Sequence, residues 1–123
     1  MATEFKRVTM GDIPNTALPN TANANSDLYT VPANCDSVII GLLLTNISAG
    51  VIVVDVLIEA QSGQGDDVFL LKNANVPYGS ALEVISGKVV LANTGSGTGD
   101  TLQVRCQTGA THLDAVLSVL ENT

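Results

Sequence analysis

The stretch that decides the fold is Val51-Ile52-Val53-Val54-Asp55-Val56-Leu57-Ile58-Glu59-Ala60-Gln61. Side chains of a β-strand point alternately to its two faces. In this stretch one face would carry Ile52, Val54, Val56 and Ile58, and the other would carry Asp55 and Glu59. The period of two therefore predicts a β-strand with one continuous apolar face.

A second apolar run lies just before this strand. Ser37 to Asn46 contains the uninterrupted sequence VIIGLLL, which suits a strand covered on both faces. Asn46 to Gly50 has the composition of a tight turn. Two β-like runs joined by such a turn predict a hairpin between them.

The rest of the chain repeats the order strand, turn, strand. The residues between Asn93 and Asp100 predict a flexible loop, and Leu113 to Glu121 predicts a closing strand because apolar residues alternate there. Val, Leu, Ile and Ala supply most of the 46% apolar content, with only 3% aromatic residues, which also favours β-structure. About eight strands at spacings of roughly 8–12 residues predict an all-β fold, an antiparallel β-sandwich of jelly-roll type.

The first 26 residues differ from the remainder. We divide the chain into an N-terminal strand with an extended arm, residues 1–26, and a β-sandwich domain, residues 27–123. The arm is rich in Asn and Pro yet carries apolar side chains, so one interpretation is an arm that lies along a neighbouring subunit. The other is a floppy or self-packed segment. On the first interpretation the interface residues would be Ile13, Pro14, Leu18 and Pro19.

Charge and cysteine content exclude several classes of partner. The formal net charge is −7, and the five basic residues are scattered, so binding to nucleic acid or to an anionic membrane surface is not expected. The longest apolar run is far shorter than the about 20 residues that span a bilayer. Cys106 alternates with apolar residues and is expected to be buried, whereas Cys35 lies beside a turn and could be partly exposed. We expect no disulfide between them.

Residues that could carry chemistry are few. His112 is the single histidine and lies in a predicted turn, and no G-x-S-x-G nucleophile elbow is present. Asp66-Asp67 is interpreted as an acidic turn rather than a calcium site, and Gly95 to Gly99 as a mobile loop without the lysine of a phosphate-binding loop. The sequence thus predicts no catalytic residue, no metal site and no cofactor, and a protein that is not an enzyme.

A resemblance adds a context to this β-domain. From Asp27 to the C-terminus, about 90 residues, the chain resembles small virion proteins of tailed bacteriophages, including those that infect cyanobacteria. The resemblance implies a structural role in the virion and brings no catalytic residues with it. It is carried by the segments YTVPAN (29–34), SVIIGLLLTN (37–46), VFLLKNANVPYGSALEVI (68–85), GKVVL (87–91), GDTLQV (99–104) and LSVLE (117–121).

These observations lead to one main functional hypothesis and two alternatives. The main one is a capsid decoration (cement) protein, located in the virion after assembly in the host cytoplasm. Its partners would be the major capsid protein or other virion proteins, and it would form a homo-oligomer, with a trimer favoured. The first alternative is a tail, collar or baseplate-fibre component. The second is a glycan-binding surface module that would use Tyr29 or Tyr78, since Phe69 is expected in the core.

Overall fold

The computed structural model describes residues 3–11, 13–19, 26–85, 88–95, 97–107 and 113–122. In these residues the regular secondary structure consists of nine β-strands, numbered here in chain order. They are β1 (Thr3–Met10), β2 (Asp27–Thr30), β3 (Cys35–Asn46), β4 (Ile52–Glu59), β5 (Val68–Val76), β6 (Ala81–Glu83), β7 (Val89–Asn93), β8 (Thr101–Cys106) and β9 (Leu113–Asn122).

The strands form two antiparallel sheets. One sheet has the order β1-β9-β3-β6, with β7 also paired to β3, and the other has the order β2-β8-β4-β5. The short strands β6 and β7 pair with two separate segments of β3, residues 43–45 and 35–39. Together they therefore occupy one edge position of the sheet. Eight strand positions in this interleaved order are those of a jelly-roll sandwich. The predicted fold class is confirmed, including the closing strand β9.

The predicted hairpin between the two apolar runs is wrong. β3 lies in the five-stranded sheet, where β9 is its long partner, whereas β4 lies in the four-stranded sheet between β5 and β8. The turn after Asn46 therefore carries the chain from one sheet to the other. Alternation along a strand reports which side chains face the core, and it holds no information about which strand lies alongside.

The core lies between the two sheets and is built from alternate residues of the long strands. Ile52, Val54 and Val56 face inward as predicted, and Ile58 packs against them half-buried. β3 is not covered on both faces of this chain, because Ile40 and Leu43 are 44% and 40% exposed. The inward-facing set also includes Ile39, Leu42, Leu44, Leu91, Leu102, Val104, Cys106, Leu113, Ala115, Leu117 and Val119.

The N-terminal segment belongs to the sandwich. β1 pairs with β9 over its whole length, from Thr3 opposite Asn122 to Met10 opposite Ala115. Further along, the Ile13 amide donates to the Leu113 carbonyl of the five-stranded sheet, and the Pro14 carbonyl accepts from the Cys106 amide of the four-stranded sheet. Residues 13–14 therefore bridge the two sheets, and the division at residue 27 does not coincide with a boundary in the fold.

The loop between Asn93 and Asp100, predicted to be flexible, is closed by hydrogen bonds in its described residues. The side-chain amide nitrogen of the buried Asn93 donates to the carbonyls of Val31 and Gly97, at 3.1 and 2.8 Å. The two carboxylate oxygens of Asp100 accept from the backbone amides of Gln61 and Ala92. A Cβ on Gly99 would lie 2.6 Å from that of Asn93, so this close approach requires glycine.

Candidate interaction surface

The outer side of the five-stranded sheet carries a row of apolar side chains across four strands. Phe5 of β1 lies opposite Leu120 of β9, Leu120 lies opposite Val38 of β3, and Val38 lies opposite Val90 of β7. Val38 and Leu120 alternate with buried residues on either side along their strands, so the row points away from the core. Phe5 is 76% and Val90 64% exposed.

Other apolar side chains extend this row. Val116 of β9 and Leu43 of β3 lie directly opposite each other and are 39% and 40% exposed. Ile40 lies at the register irregularity between Ile39 and Gly41 and is 44% exposed. Contiguous exposed apolar surface of this kind marks an interaction site more often than isolated exposed residues do. We define the apolar face by the residues Phe5, Val38, Ile40, Leu43, Val90, Val116 and Leu120.

Charged residues surround the apolar row on this sheet surface. Asp36 of β3 and Asp114 of β9 alternate with buried neighbours and so point outward, beside Val38 and Val116. Arg7 of β1 is exposed at one edge, in the row that continues through Ser118 and Gly41. Glu83 of β6 is exposed at the opposite edge, across from Leu43. The apolar face is therefore bordered by Arg7 and Glu83 at its two edge strands and by the carboxylates of Asp36 and Asp114 near the starts of β3 and β9. Arg7 and Glu83 do not contact each other within the chain, because two strands, β9 and β3, lie between β1 and β6.

The four residues predicted to form an interface arm lie in different environments. Ile13 is completely buried in the core of its own chain, so its prediction as an intersubunit residue is wrong, and Pro14 is half-buried at the bridge between the sheets. Leu18 is half-buried and Pro19 exposed. The self-packed alternative holds for the start of the arm, while an intersubunit role for Leu18 and Pro19 stays a prediction. The residues 20–25 lie outside the described part of the chain.

A polar cluster lies between the sheets near one end of the sandwich. The Tyr29 hydroxyl donates to a carboxylate oxygen of Glu121, and Ser37 Oγ lies 2.7 Å from the same tyrosine oxygen. The other Glu121 oxygen is 2.9 Å from Lys6 Nζ. Burial, followed by the hydrogen bond to Glu121, raises the pKa of Tyr29, and the hydrogen bond from Lys6 to Glu121 raises the pKa of Lys6. This cluster ties β2 of one sheet to β1, β3 and β9 of the other.

The position of Tyr29 corrects the glycan alternative. Tyr29 is 8% exposed and its hydroxyl is hydrogen-bonded inside the protein, so its ring is not available to stack on a sugar. Phe69, expected in the core, is instead 42% exposed, and Lys72 Nζ lies 4.6 Å from the centre of its ring. Tyr78 is 67% exposed and is the one tyrosine of the two proposed for sugars that lies at the surface.

A second polar cluster surrounds Asp55 on the outer side of the four-stranded sheet. Asp55 is fully buried, and its Oδ1 accepts from the Asn73 amide at 2.8 Å and from Gln107 Nε2 at 2.7 Å. Its Oδ2 lies 3.4 Å from Lys72 Nζ and 3.5 Å from Arg105 Nη1. Burial by itself would raise the pKa of Asp55, but these hydrogen bonds and the charge of Lys72 outweigh it and hold the pKa below its ordinary value. The sequence pattern correctly predicted that Asp55 points away from the core-facing side of β4. It did not predict that Asp55 is buried.

The cluster around Asp55 has the properties of a structural site. Each carboxylate oxygen is occupied by donors from the protein, and Arg105 Nε also donates to the Asn15 carbonyl, so the group fastens the N-terminal arm to β8. Buried charges that are paired and hydrogen-bonded in this way stabilise one arrangement of the chain.

Other predicted chemical features can be placed as well. Asp66 and Asp67 are exposed, and Asp67 Oδ1 accepts from the Ala60 amide at 2.9 Å, as in an ordinary turn. Among the described residues, no group of three or more His, Cys, Asp and Glu could hold a metal ion. His112 lies outside the described residues. Cys106 is buried as predicted, whereas Cys35, at 2% exposure, is buried against expectation; the two thiols are not joined in a disulfide.

Comparisons with known proteins give little beyond the fold. No family model and no curated protein matches the chain. A solved structure, the globular domain of zebrafish complement 1qA protein, is similar at 14% sequence identity, with 94% of each chain covered and a TM-score of 0.42. This similarity concerns the arrangement of the strands alone. In the described residues no helix is long and apolar enough to cross a membrane.

Proposed function

We propose that this chain is a non-enzymatic structural protein of a virus particle, a capsid decoration protein whose copies associate through the apolar face. The observation that carries the proposal is the row of Phe5, Leu120, Val38 and Val90 across four strands of one sheet. The decoration role is supported by the resemblance of the segments from Asp27 onward to small phage virion proteins. The same proposal places the protein in the virion.

Association between copies is favoured over a solitary domain by the chemistry of the face. Within a chain of formal charge −7, the seven side chains of this face carry no charge, and the carboxylates of Asp36, Glu83 and Asp114 lie at its border. Burying apolar surface against another protein removes it from water at about 25 cal/mol per Å². The seven side chains of the apolar face therefore stabilise a contact far more than they stabilise the isolated chain.

The edge charges fit a head-to-tail contact between copies, and they fit equally a two-fold contact in which Arg7 of each copy meets Glu83 of the other. Arg7 at the β1 edge of one copy would lie near Glu83 at the β6 edge of the next. A head-to-tail contact closes into a ring when the rotation between neighbours permits it. A ring of three copies is the form that we favour.

The oligomeric state of the purified protein tests the apolar face. We expect the wild-type chain, 12.7 kDa per copy, to sediment at a whole-number multiple of this mass, and Val90→Lys to sediment as one copy. Val68→Lys is the matched control, because Val68 is a strand valine that is 49% exposed on the other sheet. A wild-type protein that sediments as a single copy, or an equal effect of both substitutions, would refute the proposed association.

Copy number on purified particles tests the place in the virion. Quantitative mass spectrometry against the major capsid protein should give hundreds of copies per particle for a decoration protein. A dozen copies or fewer would instead favour the alternative of a tail, collar or baseplate-fibre component. Absence of the chain from particles would refute the virion role in both forms.

A further inference from the structure

Among the described strands, β1 forms the one sheet edge that is both long and regular. It runs from Thr3 to Met10 and pairs with β9 along its whole length without a register shift. In the part of the chain that the structure describes, no second strand pairs with its other side. Such an edge presents unpaired backbone N–H and C=O groups, with which another extended strand can form hydrogen bonds.

The other three edges of the sandwich have features that oppose pairing with another chain. β2 has four residues, and the edge opposite β1 is divided between β6 with three residues and β7 with five. β5 has nine residues, but its register against β4 shifts at two places, and Asn73 has a left-handed backbone conformation with φ of 56°. Short strands and bulges are the usual means by which sheet edges avoid other strands. β1 has neither feature.

The charges on β1 are arranged so that a second copy complements them. Glu4 and Lys6 are two residues apart, so their side chains point to the same face of the sheet, and both residues are exposed. Lys6 Nζ lies 2.9 Å from Glu121 Oε1, yet the Lys6 side chain stays 43% exposed. Among the described residues, Glu4 takes part in no ion pair. Two antiparallel β1 strands can therefore bring Glu4 of one copy opposite Lys6 of the other.

Symmetry restricts the register that two copies of β1 can adopt. Directly opposite side chains of an antiparallel pair lie on the same face, so the two-fold axis passes through a residue that lies opposite itself. An axis through Glu4, Lys6 or Arg7 places like charges opposite each other, which destabilises the pair. An axis through Val8 brings no opposite charges together. An axis through Phe5 places Glu4 of each copy opposite Lys6 of the other.

We propose that two copies of this chain pair through their β1 edges, antiparallel, about a two-fold axis at Phe5. A second copy is favoured over a strand of another protein, because it presents the charges of Glu4 and Lys6 in the complementary order. The contact uses the backbone edge of β1 and the side chains of its charged face. It is therefore distinct from the apolar face and does not rest on the proposed function. The described residues Thr3 to Arg7 take part, and a contact this small is weak on its own.

Self-association of the Val90→Lys chain measures the edge contact without the apolar face. We expect its mass in sedimentation equilibrium to rise from one copy toward two between about 10 μM and about 1 mM. Adding Glu4→Lys should weaken the association by about tenfold or more, because two attractions become two repulsions. Adding Lys6→Glu to that variant exchanges the two charges and should restore the association to within about threefold. Asp66→Lys is the matched control, with the same charge change on an exposed turn residue, and should leave the association unchanged.

A disulfide trap measures the register directly. Opposite residues of an antiparallel pair have Cα atoms about 4.5–5.5 Å apart, which a disulfide spans. Phe5→Cys in the Val90→Lys chain should therefore form a covalent dimer in oxidised glutathione. Thr9→Cys is the control on the same face of β1; its counterpart would lie about 27 Å away, so it should form none. The native thiols of Cys35 and Cys106 are buried.

The outcomes separate the edge contact from the proposed function. No self-association of the Val90→Lys chain up to about 1 mM would overturn the inference. A covalent dimer of Thr9→Cys would overturn it too, as would equal effects of Glu4→Lys and Asp66→Lys. If the variant with exchanged charges does not fold, the trap at Phe5 decides. A wild type that sediments like the Val90→Lys chain would count against the apolar face alone, and a Phe5→Cys dimer would still support the edge contact.

Discussion

Replacing Ile13 by alanine should destabilise the folded chain as much as a substitution in the middle of a strand. Ile13 has no exposed surface and packs in the core between the two sheets. Its backbone amide keeps the hydrogen bond to the Leu113 carbonyl in either variant, so the substitution isolates the side chain. Removing three buried carbons costs about 2.4 kcal/mol in transfer free energy, and the cavity that remains brings the loss to about 3–4 kcal/mol.

Thermal and urea unfolding measure this loss. At roughly 4 °C for each kcal/mol in a domain of this size, the melting temperature should fall by about 12–16 °C. Leu18→Ala, in the same arm but half-buried, should cost less than about 1 kcal/mol. Deleting residues 1–26 should abolish stable folding, because the deletion also removes β1. An Ile13→Ala protein within about 0.5 kcal/mol of the wild type would show that this residue is not part of the core.

Two further predictions concern stability against pH. Because the folded pKa of Asp55 is lowered, its ionised form stabilises the fold above its ordinary pKa of 3.8, and this contribution is lost as the pH falls through the folded value. Asp55→Asn should therefore lower the free energy of unfolding by about 2 kcal/mol at pH 7. Urea unfolding at decreasing pH should show this difference from the wild type becoming smaller in acid. A difference that stays constant with pH would contradict the prediction. Burial, then the charges of Asp67 and Asp27, raises the pKa of Glu59, so ionised Glu59 opposes folding at neutral pH. Glu59→Gln should raise the melting temperature at pH 7, with the gain vanishing below the ordinary pKa of 4.5, and a lower melting temperature at pH 7 would refute this.

The strands and the core could be predicted from the sequence because alternation is a local property. The pattern of Ile52, Val54 and Val56 needs no knowledge of neighbouring strands to identify an inward face. The partner of a strand depends on contacts distant in sequence, and the wrong hairpin between β3 and β4 follows from this. A five-residue turn after Asn46 serves a hairpin or a crossing between sheets equally well.

Burial of individual polar and aromatic residues could not be predicted for the same reason. Asp55 is buried because Asn73 and Gln107, 18 and 52 positions away, supply donors to it. Tyr29 is buried because Glu121, 92 positions away, accepts a hydrogen bond from its hydroxyl. Within the candidate surface, the pairing that aligns Phe5 with Leu120 exists only after β1 and β9 have met.

The central place of β9 has a consequence for biosynthesis. β9 lies between β1 and β3 in the five-stranded sheet, yet it is translated after both of them. The 66 residues between the end of β3 and the start of β9 take about 3–13 s to translate at about 5–20 residues per second. Throughout that interval the strand edges that β9 will occupy are open to other chains, which is the condition for aggregation and for chaperone binding. The timing of β9 synthesis therefore decides how long the nascent protein depends on its cellular environment.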